Sequence, residues 1–161
     1  MIRKFLFTLF FITLLSLIPL NAVSSVKIVA SIFPFYDFTR EIVKDNAEIK
    51  LLIKPGLEPH HFEPKPGDIA MLRKADFFIY GGVKIEPWAE KIVKSLGTYP
   101  PYLIDVSKGL NLEARESRLV DPHIWLDLSM VERIVDNIVD GLSAKDQKNS
   151  EFFRRNGEKY K

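Results

Sequence analysis

The chain has no cysteine among its 161 residues, which excludes a disulfide framework and every cysteine-built zinc cluster. Histidine is scarce as well, with three residues in all. No His-Glu-x-x-His helix motif occurs, and no Ser-His-Asp or Cys-His set is suggested. Charge of one sign is also lacking. Without Arg3 and Lys4 the 23 basic residues fall level with the 21 acidic ones, and nothing here suggests nucleic acid. There is no internal repeat and no low-complexity tract.

What is present begins with an address. Arg3 and Lys4 precede an apolar run from Phe5 to Leu20, broken at Pro19 and followed by Asn21-Ala22-Val23-Ser24-Ser25. That order of charge, apolar core and small residues predicts a secretory signal peptide over 1–25. A membrane anchor needs about twenty apolar residues, and this run is shorter. No cysteine follows it, so the expectation is a periplasmic protein without a lipid anchor.

About 136 residues then remain, enough for one domain with a hydrophobic core. Strand-like runs alternate with helix-like segments. Strands are expected at 26–30, 48–53, 76–80 and 101–106, with helices at 34–44, 66–74 and 86–96 between them. Ser129-x-x-Glu132 reads as a capping box for a helix whose stripe is Ile134, Val135, Ile138, Val139 and Leu142. Ser143-x-x-Asp146 reads as a second box opening a charged last helix. Parallel strands need long crossover connections, so this alternation predicts an α/β fold: a mostly parallel sheet with helices on both faces. Ligands of such sheets bind outside the carboxyl ends of the strands.

All three histidines lie in two Pro-His contexts, Glu58-Pro59-His60-His61 and Asp121-Pro122-His123, each followed by an aromatic residue and an acid. Imidazole suits zinc and other first-row ions, and a site built from separated loops needs few ligands. The strand at 48–53 runs into the His60 loop, and the connection after 101–106 leads to the His123 loop, so both reach the same sheet edge. Without further context, a histidine after proline in a loop is more often a solvated surface group.

Four ordered motifs supply that context: Gly56-x-Glu58-Pro59-His60-x-Phe62-Glu63-Pro64-x-Pro66-x-Asp68, then Ala75-Asp76, then Gly82-x-x-x-Glu86-Pro87-Trp88, then Asp121-Pro122-His123-x-Trp125-Leu126-Asp127. Together with the opening Val26 to Pro34 they make the chain similar to the zinc/manganese-binding solute-binding proteins of ABC importers. The resemblance implies a two-lobed metal receptor, its lobes joined by one long rigid helix, with the ion held between them and passed to a permease. His60 and His123 match the two histidine ligands of the first lobe. On this reading residues 26–142 form that lobe and 143–161 the start of the joining helix. The third ligand, usually His or Glu, and the fourth, usually Asp, belong to a second lobe that these residues do not include. The metal expected is Zn²⁺, with Mn²⁺ as the alternative, since the missing ligands would decide between them. Leu128 stands where the family usually has proline, and no histidine-rich acidic loop lies between Ser107 and Asp121.

Around the two ligands, His61 is read as an exposed neighbour able to substitute as a ligand. Glu63 and Asp127 are read as acceptors orienting a liganded imidazole, with Asp127 equally placed to be structural at the mouth of the next helix. Trp88 and Trp125 are expected in core or interface packing, and a face that meets a partner would leave groups such as Trp125 exposed and prone to self-association. Two other functions fit fewer residues. One is a zinc-dependent hydrolase with Glu63 as general base, for which no catalytic set is assigned. The other is a vestigial or partner-dependent interaction domain, pairing with a separate second lobe.

Overall fold

The computed structural model describes residues 25–112 and 120–161. The expected signal segment, apart from Ser25, lies outside them, as do residues 113–119 of the polar stretch before His123. Four parallel strands form one sheet: β1 (Val26–Ala30), β2 (Ala47–Leu51), β3 (Phe77–Tyr80) and β4 (Tyr102–Asp105), in the order β2-β1-β3-β4. Ile28 pairs with Ile49 on one side and Phe77 on the other, and Phe77 in turn pairs with Tyr102. The sequence separates centre from edge. Phe77-Phe78-Ile79-Tyr80 is apolar throughout and buried throughout, as a strand covered on both faces must be. In β2, Glu48 and Lys50 alternate with half-buried Ala47, Ile49 and Leu51, the pattern of an edge strand with one wet face.

The helices are α1 (Phe33–Val43), α2 (Pro66–Leu72), α3 (Ala89–Leu96), α4 (Leu128–Lys145) and α5 (Ser150–Tyr160). From β1 the chain first moves outward to β2, then crosses back to β3 and on to β4. Crossovers of one hand that reverse direction put their helices on opposite faces. Accordingly α1 packs with α4 and α5, while α2 packs with α3. The core is continuous through both layers, from Phe35, Ile42 and Val43 of α1 through Phe78 and Ile79 to Leu72, Ala89 and Ile92.

Several expectations change in detail. The helix expected at 86–96 begins at Ala89. Pro87 disfavours helical geometry in the residue before it, and the Glu86 carboxylate turns back to accept from Gly81 N at 2.6 Å. The expected capping boxes are replaced by aspartate caps. Asp127 accepts from Ser129 N at 2.9 Å and Oγ at 2.6 Å, so Ser129 donates and lies inside α4. Ser143 is buried within α4, and the helical break falls at Asp146, whose carboxylate accepts from Asn149. Residues 142 and 143 both lie within α4. Beyond the break, α5 returns to the lobe: Phe153 is buried, Asn156 donates to Ile42 O at 2.8 Å, and Gly157 faces Val139 so closely that a Cβ would lie 2.7 Å from its methyl. Trp125 is also less exposed than expected. It is half-buried, edge-on to Phe35, and the exposed apolar groups are its neighbours Leu126 and Leu128.

Candidate metal centre

The two histidine loops leave from the two outer strands. Beyond β2, Leu52 N and Ile53 N extend the ladder to Ala30 O and Ser31 O. Gly56, with φ +87°, then turns the chain across the carboxyl edge, a backbone angle that favours glycine. At the other end, Asn137 of α4 donates to Val106 O and Lys108 O at 2.8 and 2.9 Å, fastening the segment after β4. His123 stands just before a short turn, Ile124–Leu126, that leads into α4. The loops converge: the His60 and His123 rings are 5.4 Å apart between centroids and steeply inclined at 79°. Two Zn–N bonds of about 2.0–2.1 Å can reach one ion from rings so placed. Both side chains are open to solvent, at 40% and 48% exposure.

Each histidine is preceded two residues earlier by an acid that folds back on it. Glu58 accepts from His60 N at 3.0 Å, and Asp121 accepts from His123 N at 2.9 Å. Only Asp121 also reaches its histidine's ring, with Oδ1 3.0 Å from Nδ1. An ionised carboxylate accepts and cannot donate, so Nδ1 carries the proton and Nε2 keeps its lone pair for a metal. The His123 backbone N–H, followed by the ring contact, holds the Asp121 carboxyl below the ordinary aspartate range. On the other loop, Glu58 Oε1 is 3.9 Å from His60 Nε2, too far for a hydrogen bond.

The structure therefore brings the His60 and His123 rings together, and the acids that contact these two residues are Glu58 and Asp121. His61 and Glu63 are exposed, and Asp127 is occupied as the cap of α4, the structural alternative considered for it. The signal for Glu58 and Asp121 was in plain view: acid-Pro-His occurs twice, and a short acid two residues before a turn can accept from the backbone. Among the described residues no group of three or more metal-ligating side chains converges.

Aromatic contacts tie both loops to the core. Phe62 stands edge-on to buried Trp88 at 5.0 Å, and Trp125 to buried Phe35 at 6.1 Å. Between the loops, the central strands β1 and β3 end at Ser31 and Gly81, where Glu86 is buried at 4% exposure. Burial pushes its carboxyl up to about 7, opposed by the Gly81 N–H and reinforced by the nearby Asp105 charge. The Ser31 hydroxyl is close enough to favour the charged form but makes no hydrogen bond of good geometry. Ser31 Oγ and Glu86 Oε1 are thus both buried without a partner.

A parallel four-stranded sheet with this strand order, with two imidazoles converging at its carboxyl edge, defines an α/β lobe with a candidate metal-binding edge. The chain belongs to the family of periplasmic zinc-uptake complex component A, whose model matches residues 28–161. It is 34% identical over 147 residues to the high-affinity zinc uptake system protein ZnuA of Bacillus subtilis, covering 83% of this chain and 46% of that one. The crystal structure of Zn(II)-bound AdcA from Streptococcus pneumoniae superposes with a TM-score of 0.78 at 31% identity, over 85% of this chain and 30% of AdcA. The SBP FpvC from Pseudomonas aeruginosa, in complex with Mn²⁺, superposes at 0.75 with 29% identity, over 85% and 51%. The chain thus spans about half or less of the length of these relatives.

Proposed function

We propose that the chain forms the first metal-holding lobe of an extracytoplasmic zinc receptor that delivers its ion to an ABC permease. His60 and His123 are the ligands it contributes, through Nε2 in the case of His123. The observation that carries this reading is the convergence of the two imidazoles from loops on opposite outer strands. Metal-binding relatives support it. Zinc is named for ZnuA and AdcA, while FpvC with Mn²⁺ keeps manganese as the alternative ion. The ion is cargo, and the residues here hold it without turnover. On the same reading, residues 1–25 direct export and 143–161 lead into the helix that joins the lobes.

Calorimetric titration with Zn²⁺ and Mn²⁺, of the wild type beside a His60→Ala/His123→Ala variant, tests the assignment. Saturable zinc binding that vanishes in the double variant is the expected result. Equal binding by both proteins, with circular dichroism unchanged, would place the metal elsewhere.

A further inference from the structure

We infer that the flank of the sheet between β2 and α2 binds a small amphipathic carboxylate, its apolar body lying in a cleft against α2 and its headgroup among three lysines. The cleft has a volume of about 450 Å³, within the range of small-ligand sites. Its place follows from the fold. On one face of the sheet α1 packs over β2, while on the other α2 packs with α3 and leaves Glu48 and Lys50 of β2 exposed. Lys27 and Val29 project from one side of β1, and their register partners Glu48 and Lys50 project from the same side of β2. From α2 come Gly67, Ala70, Met71 and, just beyond the helix end, Lys74, whose spacing of three and four residues keeps them in one row.

The lining divides by chemistry. Val29, Ala70, Met71 and Ala75 supply apolar surface, and Lys27, Lys50 and Lys74 are exposed around it. Glu48 is the one acid in the lining, and it pairs with Lys50 at 3.0 Å. Asp76, next to Ala75, is outside the lining and accepts from the Lys27 backbone N–H at 2.7 Å. Three ammonium groups against one carboxylate leave the cleft with two positive charges in excess. An apolar body with one negative end satisfies both parts, since each lysine meets an anion as a point charge and the apolar surface is removed from water. A more highly charged headgroup would meet the repulsion of Glu48. None of these residues belongs to a histidine loop. Lys27 is the second residue of β1 and Ala75 precedes β3, so the cleft lies toward the amino ends of the strands, whereas the imidazoles stand at the carboxyl edge. Anion binding here is therefore independent of the metal reading and leaves the carboxyl edge free for it.

Calorimetric titration of the purified chain with decanoate, below its micellar concentration and with EDTA present, tests the site. One decanoate per chain is expected, with decanol bound at least tenfold more weakly and acetate not bound saturably. A Lys27→Gln/Lys74→Gln variant, altered only at exposed positions, should lose at least tenfold in affinity for decanoate. Gly67→Phe should lose as much, because a Cβ there meets nothing within 4 Å and the ring would occupy the cleft. The His60→Ala/His123→Ala variant should bind decanoate as the wild type does. Equal affinity for decanol and decanoate would overturn recognition of the anion. Absence of saturable binding by the folded chain, or binding unchanged in both cleft variants, would overturn the site itself.

Discussion

The His60 and His123 loops share an acid-Pro-His core and place their rings 5.4 Å apart, yet they hold those rings differently. At His123 one carboxylate oxygen takes both the backbone N–H and the ring Nδ1, which fixes the tautomer and the direction of Nε2. At His60 the glutamate is spent on the backbone alone, and the ring makes no hydrogen bond among the described residues. The extra methylene of Glu58 explains the difference, since the shorter aspartate can close a turn and still lie beside the imidazole of the same turn. On the proposed reading one imidazole is thus preorganised for the ion and the other must be ordered onto it. Ordering that second ring is a cost met only on binding.

The largest expected effect comes from Glu86, which is buried beside Gly81 just beyond the central strands. Its carboxyl titrates near 4.5 in the unfolded chain and at about 7 when folded. Between those values the folded state holds the extra proton, so stability must fall as pH rises through that window. At about 1.4 kcal/mol per pH unit the loss is about 3 kcal/mol. Glu86→Gln keeps the acceptor for Gly81 N but cannot ionise. In urea unfolding at pH 5 and pH 8, the variant should gain about 3 kcal/mol on wild type over that interval. Parallel pH dependences would refute the buried-acid account.

Next in size is the contrast between the two acids. Asp121→Ala removes the partner that orients a ligating imidazole and should weaken zinc binding about 10- to 100-fold. Glu58→Ala removes a backbone contact, costing about 1 kcal/mol of loop order and a correspondingly smaller part of the affinity. Competition titrations against a chelator of known affinity measure both. Comparable losses in the two variants would mean that the ring contact of Asp121 is not what positions His123.

Much of this arrangement could be read before the structure. The four strands were legible because β1, β3 and the edge strand β2 carry their burial pattern in the residues themselves, and the two histidine loops because acid-Pro-His occurs twice. Helix starts were less legible. Ser129 and Ser143 satisfy the capping-box spacing, but Asp127 is a stronger acceptor two residues earlier, and Ser143 is claimed by the core of α4. Glu63 and Asp127 are candidate acceptors by their place after each histidine, whereas the contacts of Glu58 and Asp121 come from the turn before each histidine. The strand order, and with it the placing of Glu86 between the loops, depends on long-range pairing that no local pattern encodes.

The smallest expected effect concerns the aromatic anchors. Phe62 on Trp88 and Trp125 on Phe35 are both edge-to-face pairs, and such geometry contributes about 0.5–1.5 kcal/mol beyond area burial. For zinc the two anchors should not be equivalent. His123 retains Asp121 when Trp125 is changed, whereas the His60 ring has no hydrogen-bond partner among the described residues and its loop leans on Phe62. Phe62→Leu should therefore cost more zinc affinity per unit of lost stability than Trp125→Leu. Urea midpoints and chelator competition on the two variants give the two ratios. If Trp125→Leu has the larger ratio, its edge contact with His123, at 5.4 Å, orients that ring more than Asp121 does.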